Sequence, residues 1–207
     1  MKEERSLIKS LIHYLIKMKI VGITGGIGSG KSVVCEILKT LNYAIYDSDS
    51  QAKLLMQTSP IIKSKLTELI GEEAYIGNQI NKPIISAYIF SSEENLNKLN
   101  SIVHPEVCSH FEKWSKTQKS EIVFVESAIL FESGLNTKVD EVWCVTCDTE
   151  ERIRRVMQRN GLSREEVLAR INSQMDDKKR RELSTFVIDN SGNKSLLKQI
   201  IKILRRV

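Results

Sequence analysis

Residues 25–32 read Gly-Gly-Ile-Gly-Ser-Gly-Lys-Ser and match the pattern G-x-x-x-x-G-K-S, which few folds accommodate. In such a loop the glycines let successive backbone N–H groups turn inward around an anion. Lys31 adds a positive charge, and the Ser32 hydroxyl can hold a magnesium ion. The segment therefore predicts a loop that binds nucleotide phosphates.

The flanking sequence supports this prediction, because a phosphate-binding loop of this kind joins a strand to a helix. Residues 19–24 have the β-branched content of a buried parallel strand. Helical spacing follows in Val33, Val34, Ile37, Leu38 and Leu41, so the helix would point its N-terminal amides at the phosphates. A dinucleotide-binding G-x-G-x-x-G starting at Gly26 fails, since its sixth position is Lys31. A glycine turn without a ligand is the remaining alternative.

Composition narrows the class of protein. The 207 residues are 41% hydrophobic, which is enough for a sizeable core and favours one α/β domain with insertions. No stretch approaches the roughly 18 consecutive apolar residues of a membrane span. The net charge of +5 is modest and basic residues are mixed with acids, so neither a membrane nor a nucleic-acid partner is expected. The four cysteines lack zinc-finger pairing, which favours reduced cysteines in a cytoplasmic protein.

Residues 1–17 carry apolar residues at helical spacing, interrupted by Lys9, Ser10 and His13 in a way that is poor for a signal peptide. Met18 immediately precedes the first predicted strand. We therefore predict a compact domain over 18–207, with residues 1–17 as an extension outside the core or an upstream start codon read as protein.

From Met18 onward, predicted strands alternate with helices, which predicts an α/β fold with a five-stranded parallel sheet. The predicted strands are 19–24, 43–47, 121–126, 141–147 and 186–189. The interval 50–119 is too long for one crossover, so it predicts a mostly helical insertion over the carboxyl edge of the sheet, where ligands bind in open α/β folds. This insertion is the expected location of a second substrate.

Asp47 and Asp49 end the second predicted strand. Residues two apart in an extended segment project to the same side, so both carboxylates are expected to face one pocket near the phosphate loop. One acid would accept or orient a hydroxyl proton, and the other would support magnesium or its waters. Alternatively, Asp49 or Ser50 simply caps the following helix. Glu126, which ends the third predicted strand, is a further candidate for supporting magnesium.

A helical hairpin is predicted over 150–182. On its first helix Arg152, Arg155 and Arg159 share a face, and on its second helix Arg170 and Gln174 share a face. Gly161 would end the first helix, and Ser163 with Glu166 forms a capping box that starts the second. Such a hairpin predicts a lid that closes over the transferring phosphoryl group and supplies positive charge. A solvated pair of charged helices is the alternative.

Together these residues resemble one family, the dephospho-coenzyme A kinases. The matching segments are 21–32, 47–49, 99–105, 130–132, 159–163, 170–175 and 187–190. They cover the chain from Met18 almost to its end. Many kinases share the phosphate loop, whereas the His104-Pro105 motif, the Leu-Phe-Glu motif at 130–132 and the lid sequence R-I-x-x-Q-M in this order are specific.

The resemblance implies a three-layer P-loop kinase fold with a helical acceptor-binding insertion and a helical lid. It implies a core over 18–49, 120–149 and 183–207, an insertion over 50–119 and a lid over 150–182. The implied reaction transfers the γ-phosphoryl group of ATP to the 3′-hydroxyl of dephospho-coenzyme A, the last step of coenzyme A synthesis. Mg²⁺ is the implied cofactor, both substrates are small molecules, and a monomer is expected.

The resemblance also implies roles for individual residues. The catalytic residues would be Lys31, Asp49, Asp47, Arg155 and Arg159, with Asp49 orienting the attacking hydroxyl and Asp47 on the magnesium side. The ATP contacts would be Gly26, Gly28, Ser29, Gly30, Lys31, Ser32, Val33 and Asn190, with Ser32 also binding the metal. The acceptor contacts would be Thr24, Asp49, His104, Leu130, Phe131, Glu132 and Arg170. Leu130 and Phe131 could instead be ordinary core residues.

The chain departs from the family pattern at three places. Arg152 stands where the family usually has Gln, residues 127–129 stand where it often has Val-Pro, and Ser184-Thr185 replaces a common Ala-Asp. None of these changes removes the phosphate loop or the acids. They affect which residues near these positions would contact adenine and the acceptor.

Two other functions stay open. A kinase acting on a nucleoside monophosphate would share the loop, the lid and the sheet, but not the combination of His104-Pro105 with the Leu-Phe-Glu motif. A switch of the GTPase kind would need a guanine signature N-K-x-D, and the nearest string, residues 81–84, lacks the Asp.

Overall fold

A computed structural model describes residues 18–206. The central sheet consists of β1 (Lys19–Thr24), β2 (Ala44–Asp47), β5 (Ile122–Glu126), β6 (Glu141–Thr146) and β7 (Phe186–Asp189). All its strand pairs are parallel, in the order β2-β5-β1-β6-β7. The five predicted strands are confirmed to within one residue at each end. A separate two-stranded hairpin, β3 (Tyr75–Ile76) and β4 (Gln79–Ile80), was not predicted.

Nine helices connect the strands in residues 18–206, besides two short 3₁₀ turns. They are α1 (Lys31–Thr40), α2 (Ser48–Thr58), α3 (Pro60–Ile70), α4 (Lys82–Ser91), α5 (Glu93–Thr117), α6 (Thr149–Asn160), α7 (Arg164–Asn172), α8 (Asp177–Glu182) and α9 (Leu196–Leu204). Helices α2 to α5 lie in the predicted insertion, and α6 to α8 lie in the predicted lid. None of these helices combines the length and the apolar character needed to cross a membrane.

The sheet separates two apolar cores, because successive residues of a strand face opposite sides. On β5, Phe124 packs with α1 and α9, whereas Val125 packs with the insertion. Trp143 meets Phe124 edge-on in the first core, with ring centroids 5.1 Å apart. The result is a three-layer α/β architecture, as predicted.

Helix α5 forms the floor of the insertion. It buries Leu99, Val103, Val107 and Phe111, which recur every four residues and so lie on one face. The helix continues through Pro105, which has no N–H to donate to the preceding turn. His104 lies in the middle of this helix, next to Val103 of its buried face.

The parallel strands place five chain segments at one edge of the sheet. β1 runs into residues 25–32, β2 into α2, β5 into residue 127, β6 into α6 and β7 into Asn190. Ligands of open α/β sheets bind at this carboxyl edge. The predicted extension at 1–17 lies outside the described residues.

Candidate active site

Two adjoining cavities open at the carboxyl edge of the sheet. The larger, of about 700 Å³, is formed by residues 27–28 and 30–33 together with side chains from α2, β5, α6 and the end of β7; we call it the loop cleft. The smaller, of about 290 Å³, lies between α2, α5 and residues 127–135; we call it the insertion pocket. Asp49 lines both cavities.

The phosphate loop is folded as a sequence of tight turns. Gly30, with φ of 93°, caps α1, and a side chain there would overlap the amide nitrogen of Asn190. That amide donates to the carbonyl oxygen of Ser29 over 2.8 Å. The loop therefore requires Gly at this position, and Asn190 ties it to the end of β7. The predicted ATP contacts Gly28, Gly30, Lys31, Ser32, Val33 and Asn190 all line the loop cleft, whereas Gly26 and Ser29 are buried behind it.

Lys31 is held inside the loop. Its Nζ donates to the carbonyl oxygen of Gly25 over 2.9 Å and lies 3.9 Å from Oε1 of Glu126. Burial lowers the pKa of Lys31, and the nearby Glu126 and Asp49 carboxylates oppose that shift. The ammonium thus lies at the start of α1 with carboxylates beside it, where a phosphate would compete for it.

Two carboxyl groups of the loop cleft have perturbed acidity. Burial raises the pKa of Glu126 to about 7, although the charge of Lys31 opposes the shift. Burial also raises the pKa of Asp49 above its ordinary value. Strongly shifted carboxyl groups in a cleft are a common mark of a functional site. Glu126 was recognised in the sequence as a strand-terminal acid, but its partial protonation near neutral pH depends on tertiary burial.

The prediction that Asp47 and Asp49 face one pocket is wrong in its geometry. The strand ends at Asp47 and α2 begins at Ser48, so the two-residue alternation of a strand does not extend to Asp49. Asp47 caps α2 by accepting hydrogen bonds from the N–H and the hydroxyl of Ser50, over 3.0 and 2.7 Å. Asp47 lines neither cavity, whereas Asp49 reaches both from the first turn of α2.

The hairpin of α6 and α7 flanks the loop cleft. Its turn at Gly161 (φ of 66°) and the capping box of Ser163 and Glu166 are confirmed. Arg155 and Arg159 line the cleft, and Arg155 donates to the carbonyl oxygen of Asn190 over 3.0 Å. The other two predicted arginines do not line the loop cleft. Arg152 is buried, and Arg170 is exposed away from both cavities.

Gln174, beyond the end of α7, contacts the phosphate loop. Its side-chain oxygen accepts the N–H of Ile27 over 2.8 Å, and it lines the loop cleft. The sequence indicated that Gln174 shares a helix face with Arg170. Its contact with Ile27, however, joins residues 147 apart in the chain, so no local sequence pattern indicates it.

Five of the seven predicted acceptor contacts lie outside the insertion pocket: Arg170, already described, and Thr24, Leu130, Phe131 and Glu132. Thr24 and Leu130 are fully buried, and Leu130 packs against Gly22 of β1. Phe131 packs at the margin of the core beside the insertion. Glu132 is exposed and accepts the backbone N–H of Met175 over 3.4 Å. The structure therefore places Leu130 and Phe131 as core residues that support the site from behind.

The insertion pocket has apolar walls and polar groups near its mouth. His104, Asn100 and Asp49 line it, as does Lys53 one helical turn after Asp49. Burial lowers the pKa of His104, which favours the neutral imidazole. Lys53 and Asn100 were not singled out in the sequence, although Asp49–Lys53 and Asn100–His104 both have the spacing of four that puts residues on one helix face.

No cluster of three or more His, Cys, Asp or Glu side chains in residues 18–206 is arranged to hold a metal ion. The oxygen donors at the loop cleft are the Ser32 hydroxyl and the carboxylates of Asp49 and Glu126. This set suits a cation bound mainly through substrate phosphates, as Mg²⁺ is in kinases, rather than one enclosed by protein ligands.

Comparison with known proteins identifies the family of the chain. A family model described as Dephospho-CoA kinase matches residues 19–195. A dephospho-CoA kinase from Bacteroides fragilis is 40% identical over 185 residues, covering 89% of this chain and 90% of the relative. One from Porphyromonas gingivalis is 40% identical over 193 residues, covering 92% and 95%.

A solved structure, TT1252 from Thermus thermophilus, superposes with a TM-score of 0.81 and 35% identity, covering 91% of this chain and 96% of the other. The family model spans the phosphate loop and residues 50–182. The chain therefore belongs to the dephospho-CoA kinase family.

Proposed function

We propose that phosphoryl transfer takes place at Asp49, where the loop cleft and the insertion pocket meet. ATP would occupy the loop cleft and dephospho-CoA the insertion pocket, so that the γ-phosphoryl group and the ribose 3′-hydroxyl converge on one carboxylate. The products are ADP and coenzyme A. The observation that carries this proposal is that Asp49 lines both cavities.

In the loop cleft, the N–H groups of Gly28, Gly30, Lys31 and Ser32 and the ammonium of Lys31 would bind the β- and γ-phosphates. Arg155 and Arg159 approach from the lid side and would stabilise charge that develops as the phosphoryl group moves. Such preorganised donors lower the barrier because they need little rearrangement at the transition state. Asn190 would hold the loop through its hydrogen bond to Ser29.

Asp49 would orient the 3′-hydroxyl and accept its proton. Burial raises the pKa of this carboxyl group, which makes it a stronger base once it is ionised. We assign Asp47 a structural role, since both of its carboxylate oxygens are engaged in capping α2. The magnesium-side carboxylate is then Glu126.

Mg²⁺ is proposed as the cofactor because the donors at the cleft are oxygens. Ser32 and Glu126 would hold it or its waters together with the substrate phosphates. When bound, the ion would neutralise charge on the β- and γ-phosphates.

In the insertion pocket, apolar side chains such as Leu99 and Val103 would contact the adenine of dephospho-CoA, with neutral His104 beside it. Lys53 lies one helical turn from Asp49, about 5–6 Å between Cβ atoms. A lysine ammonium binds phosphates as a point charge. Lys53 would therefore bind the diphosphate of the acceptor, and Lys53→Ala should raise the KM for dephospho-CoA while the KM for ATP stays unchanged.

We further propose a cytoplasmic monomer that acts on small molecules and needs no nucleic-acid partner. All four cysteines are free, which agrees with a reducing compartment. Size-exclusion chromatography with light scattering tests the oligomeric state.

The test of the reaction is an ADP-release assay with ATP, Mg²⁺ and one acceptor at a time. Dephospho-CoA should support turnover and yield coenzyme A by mass spectrometry, whereas adenosine and AMP should support little. Faster turnover with AMP would instead favour a nucleoside monophosphate kinase. Omission of acceptor controls for hydrolysis of ATP.

A further inference from the structure

A buried arginine lies directly behind the phosphate loop. Arg152, on α6, is only 2% exposed, and its guanidinium packs against Gly26 so closely that a side chain at that position would overlap it. Its Nε donates to the carbonyl oxygen of Ile27 over 2.8 Å. Arg152 therefore cannot touch a nucleotide in the loop cleft, although it contacts the loop itself.

Arg152 pairs with Asp177, the first residue of α8, which it shares with a second buried arginine. One carboxylate oxygen pairs with Nη1 of Arg152, and the other accepts from the fully buried Arg180 over 2.5 Å. Arg180 also donates to the carbonyl oxygen of Met175 over 2.8 Å. A buried charge is costly unless it is paired and hydrogen-bonded, so this network holds Arg152 in one position.

Both backbone polar groups of Ile27 are occupied from the lid side. Arg152 binds its carbonyl oxygen, and Gln174 accepts its N–H. A trans peptide is planar, and its C=O and N–H point in opposite directions. Because Arg152 holds the Ile27 carbonyl away from the loop cleft, the N–H of Gly28, in the same peptide unit, points the other way.

Gly28 is where this orientation matters. It lines the loop cleft, and within residues 18–206 its N–H has no acceptor. With φ of 76° and no side chain, Gly28 offers little resistance to rotation of the preceding peptide. A hydrogen bond from outside the loop, to the carbonyl oxygen of Ile27, is therefore needed to keep the N–H of Gly28 facing the loop cleft.

We propose that Arg152 is a positioning residue that fixes the Ile27–Gly28 peptide and so directs the Gly28 N–H at the ATP phosphates. Asp177 holds Arg152 in place for this purpose. The role is distinct from that of Arg155 and Arg159, which approach the phosphates directly. It rests on the phosphate-loop function of the family and adds a residue that acts from behind the loop.

The test compares Arg152→Met, which removes the donor and keeps an apolar stem, with Arg152→Gln, which keeps an N–H donor. Loss of alignment of a single reacting contact can cost about 100-fold, so Arg152→Met should lower kcat by roughly 10- to 100-fold. Arg152→Gln should lose less than about tenfold. Arg164→Met is the matched control, since Arg164 also joins two lid helices through a paired carboxylate, Glu150, but on the exposed surface.

A second readout separates positioning from folding. In the wild type, a non-hydrolysable ATP analogue with Mg²⁺ should shift and protect the Gly28 amide in nuclear magnetic resonance spectra, and Arg152→Met should abolish this response. Asp177→Asn leaves the arginine in place and should weaken the response of the Gly28 amide. This variant provides the test if Arg152→Met fails to fold. The proposal is overturned if the folded Arg152 or Asp177 variants keep both the Gly28 response and kcat, and lose only thermal stability.

Discussion

At the carboxyl edge of the sheet, neighbouring residues have different roles: some line the cavities and others stabilise the secondary structure. Asp47 and Asp49 are two positions apart, yet one caps a helix and the other lines both cavities. The spacing alone could not separate these roles, because the assignment depends on α2 starting at Ser48. Sequence does locate the pair, since a strand-terminal acid beside a phosphate loop is a local signal.

The two acids give a paired prediction. A positioned base contributes roughly 100- to 10,000-fold, whereas a cap contributes about 1 kcal/mol of stability. Asp49→Asn should therefore remove most transfer to dephospho-CoA and leave the melting temperature nearly unchanged. Asp47→Asn is the matched control and should retain activity; Asn caps helices well, so Asp47→Ala is the variant that should lose stability.

Single-turnover rates and thermal melts of the three variants check this. Loss of stability without loss of chemistry at Asp49 would contradict its assignment as the base.

Glu126 gives a prediction about pH. Its pKa rises from 4.5 to about 7 on burial, so the folded state binds more protons than the unfolded state between these values. Stability should consequently fall as pH rises from about 5 to 7, and the full cost, about 3 kcal/mol, applies above pH 7. Glu126→Gln mimics the protonated group, so it should raise the free energy of unfolding at pH 8 and have little effect near pH 4.

Urea denaturation at both pH values measures this difference. Because Glu126 ionises near pH 7, we expect kcat/KM of the wild type to rise through that pH. In Glu126→Gln the carboxylate is lost, so kcat/KM should be lower and this rise should disappear. A stability gain of equal size at pH 4 and pH 8 would show that titration of Glu126 is not its source.

At the scale of helices and strands, the elements marked by local signals were predicted well. The capping box at Ser163 and the glycine at 161 set the ends of α6 and α7 through contacts within three or four residues. The β3–β4 hairpin was missed because two-residue strands carry no periodicity. Contacts between elements were also missed: the bond from Arg152 to Ile27 joins residues 125 apart, and nothing near either residue encodes it.

Helix α6 gives a prediction about Arg155 and Arg159. Both line the loop cleft beside Lys31, so their charges should act most strongly when negative charge develops during transfer. Arg155→Met and Arg159→Met should therefore lower kcat more than they weaken binding of ATP.

Arg170→Met is the control on the neighbouring helix, because Arg170 is exposed away from both cavities. Pre-steady-state rates together with calorimetric titration of the ATP analogue distinguish the two effects. Equal losses in binding and turnover would indicate a static binding surface.

At the scale of the whole molecule, the alternation of strands and helices was sufficient to predict the layers and the sheet. Parallel strands buried on both faces have a strong apolar signal, and their order brings 25–32, 47–49 and 126 to one edge. The depth of the insertion pocket was not predictable, since it depends on how α2 packs against α5. Leu130 and Phe131 show the same limit, because a motif does not reveal which of its residues face a cavity.

This arrangement predicts coupling between the two substrates. If ATP and dephospho-CoA meet at Asp49, each ligand should order groups that the other also uses, so binding of one should strengthen binding of the other. A ligand at 100 times its Kd stabilises the fold by about 2.7 kcal/mol, which for a domain of this size raises Tm by roughly 5–10 °C. With a non-hydrolysable ATP analogue and dephospho-CoA together, the free energy of stabilisation should exceed the sum of the two separate values.

Lys31→Ala provides the control, because weaker phosphate binding should reduce the stabilisation by ATP and leave the stabilisation by dephospho-CoA unchanged. Strictly additive shifts, measured across a matrix of both ligand concentrations, would mean that the loop cleft and the insertion pocket act as independent sites and that Asp49 does not join them.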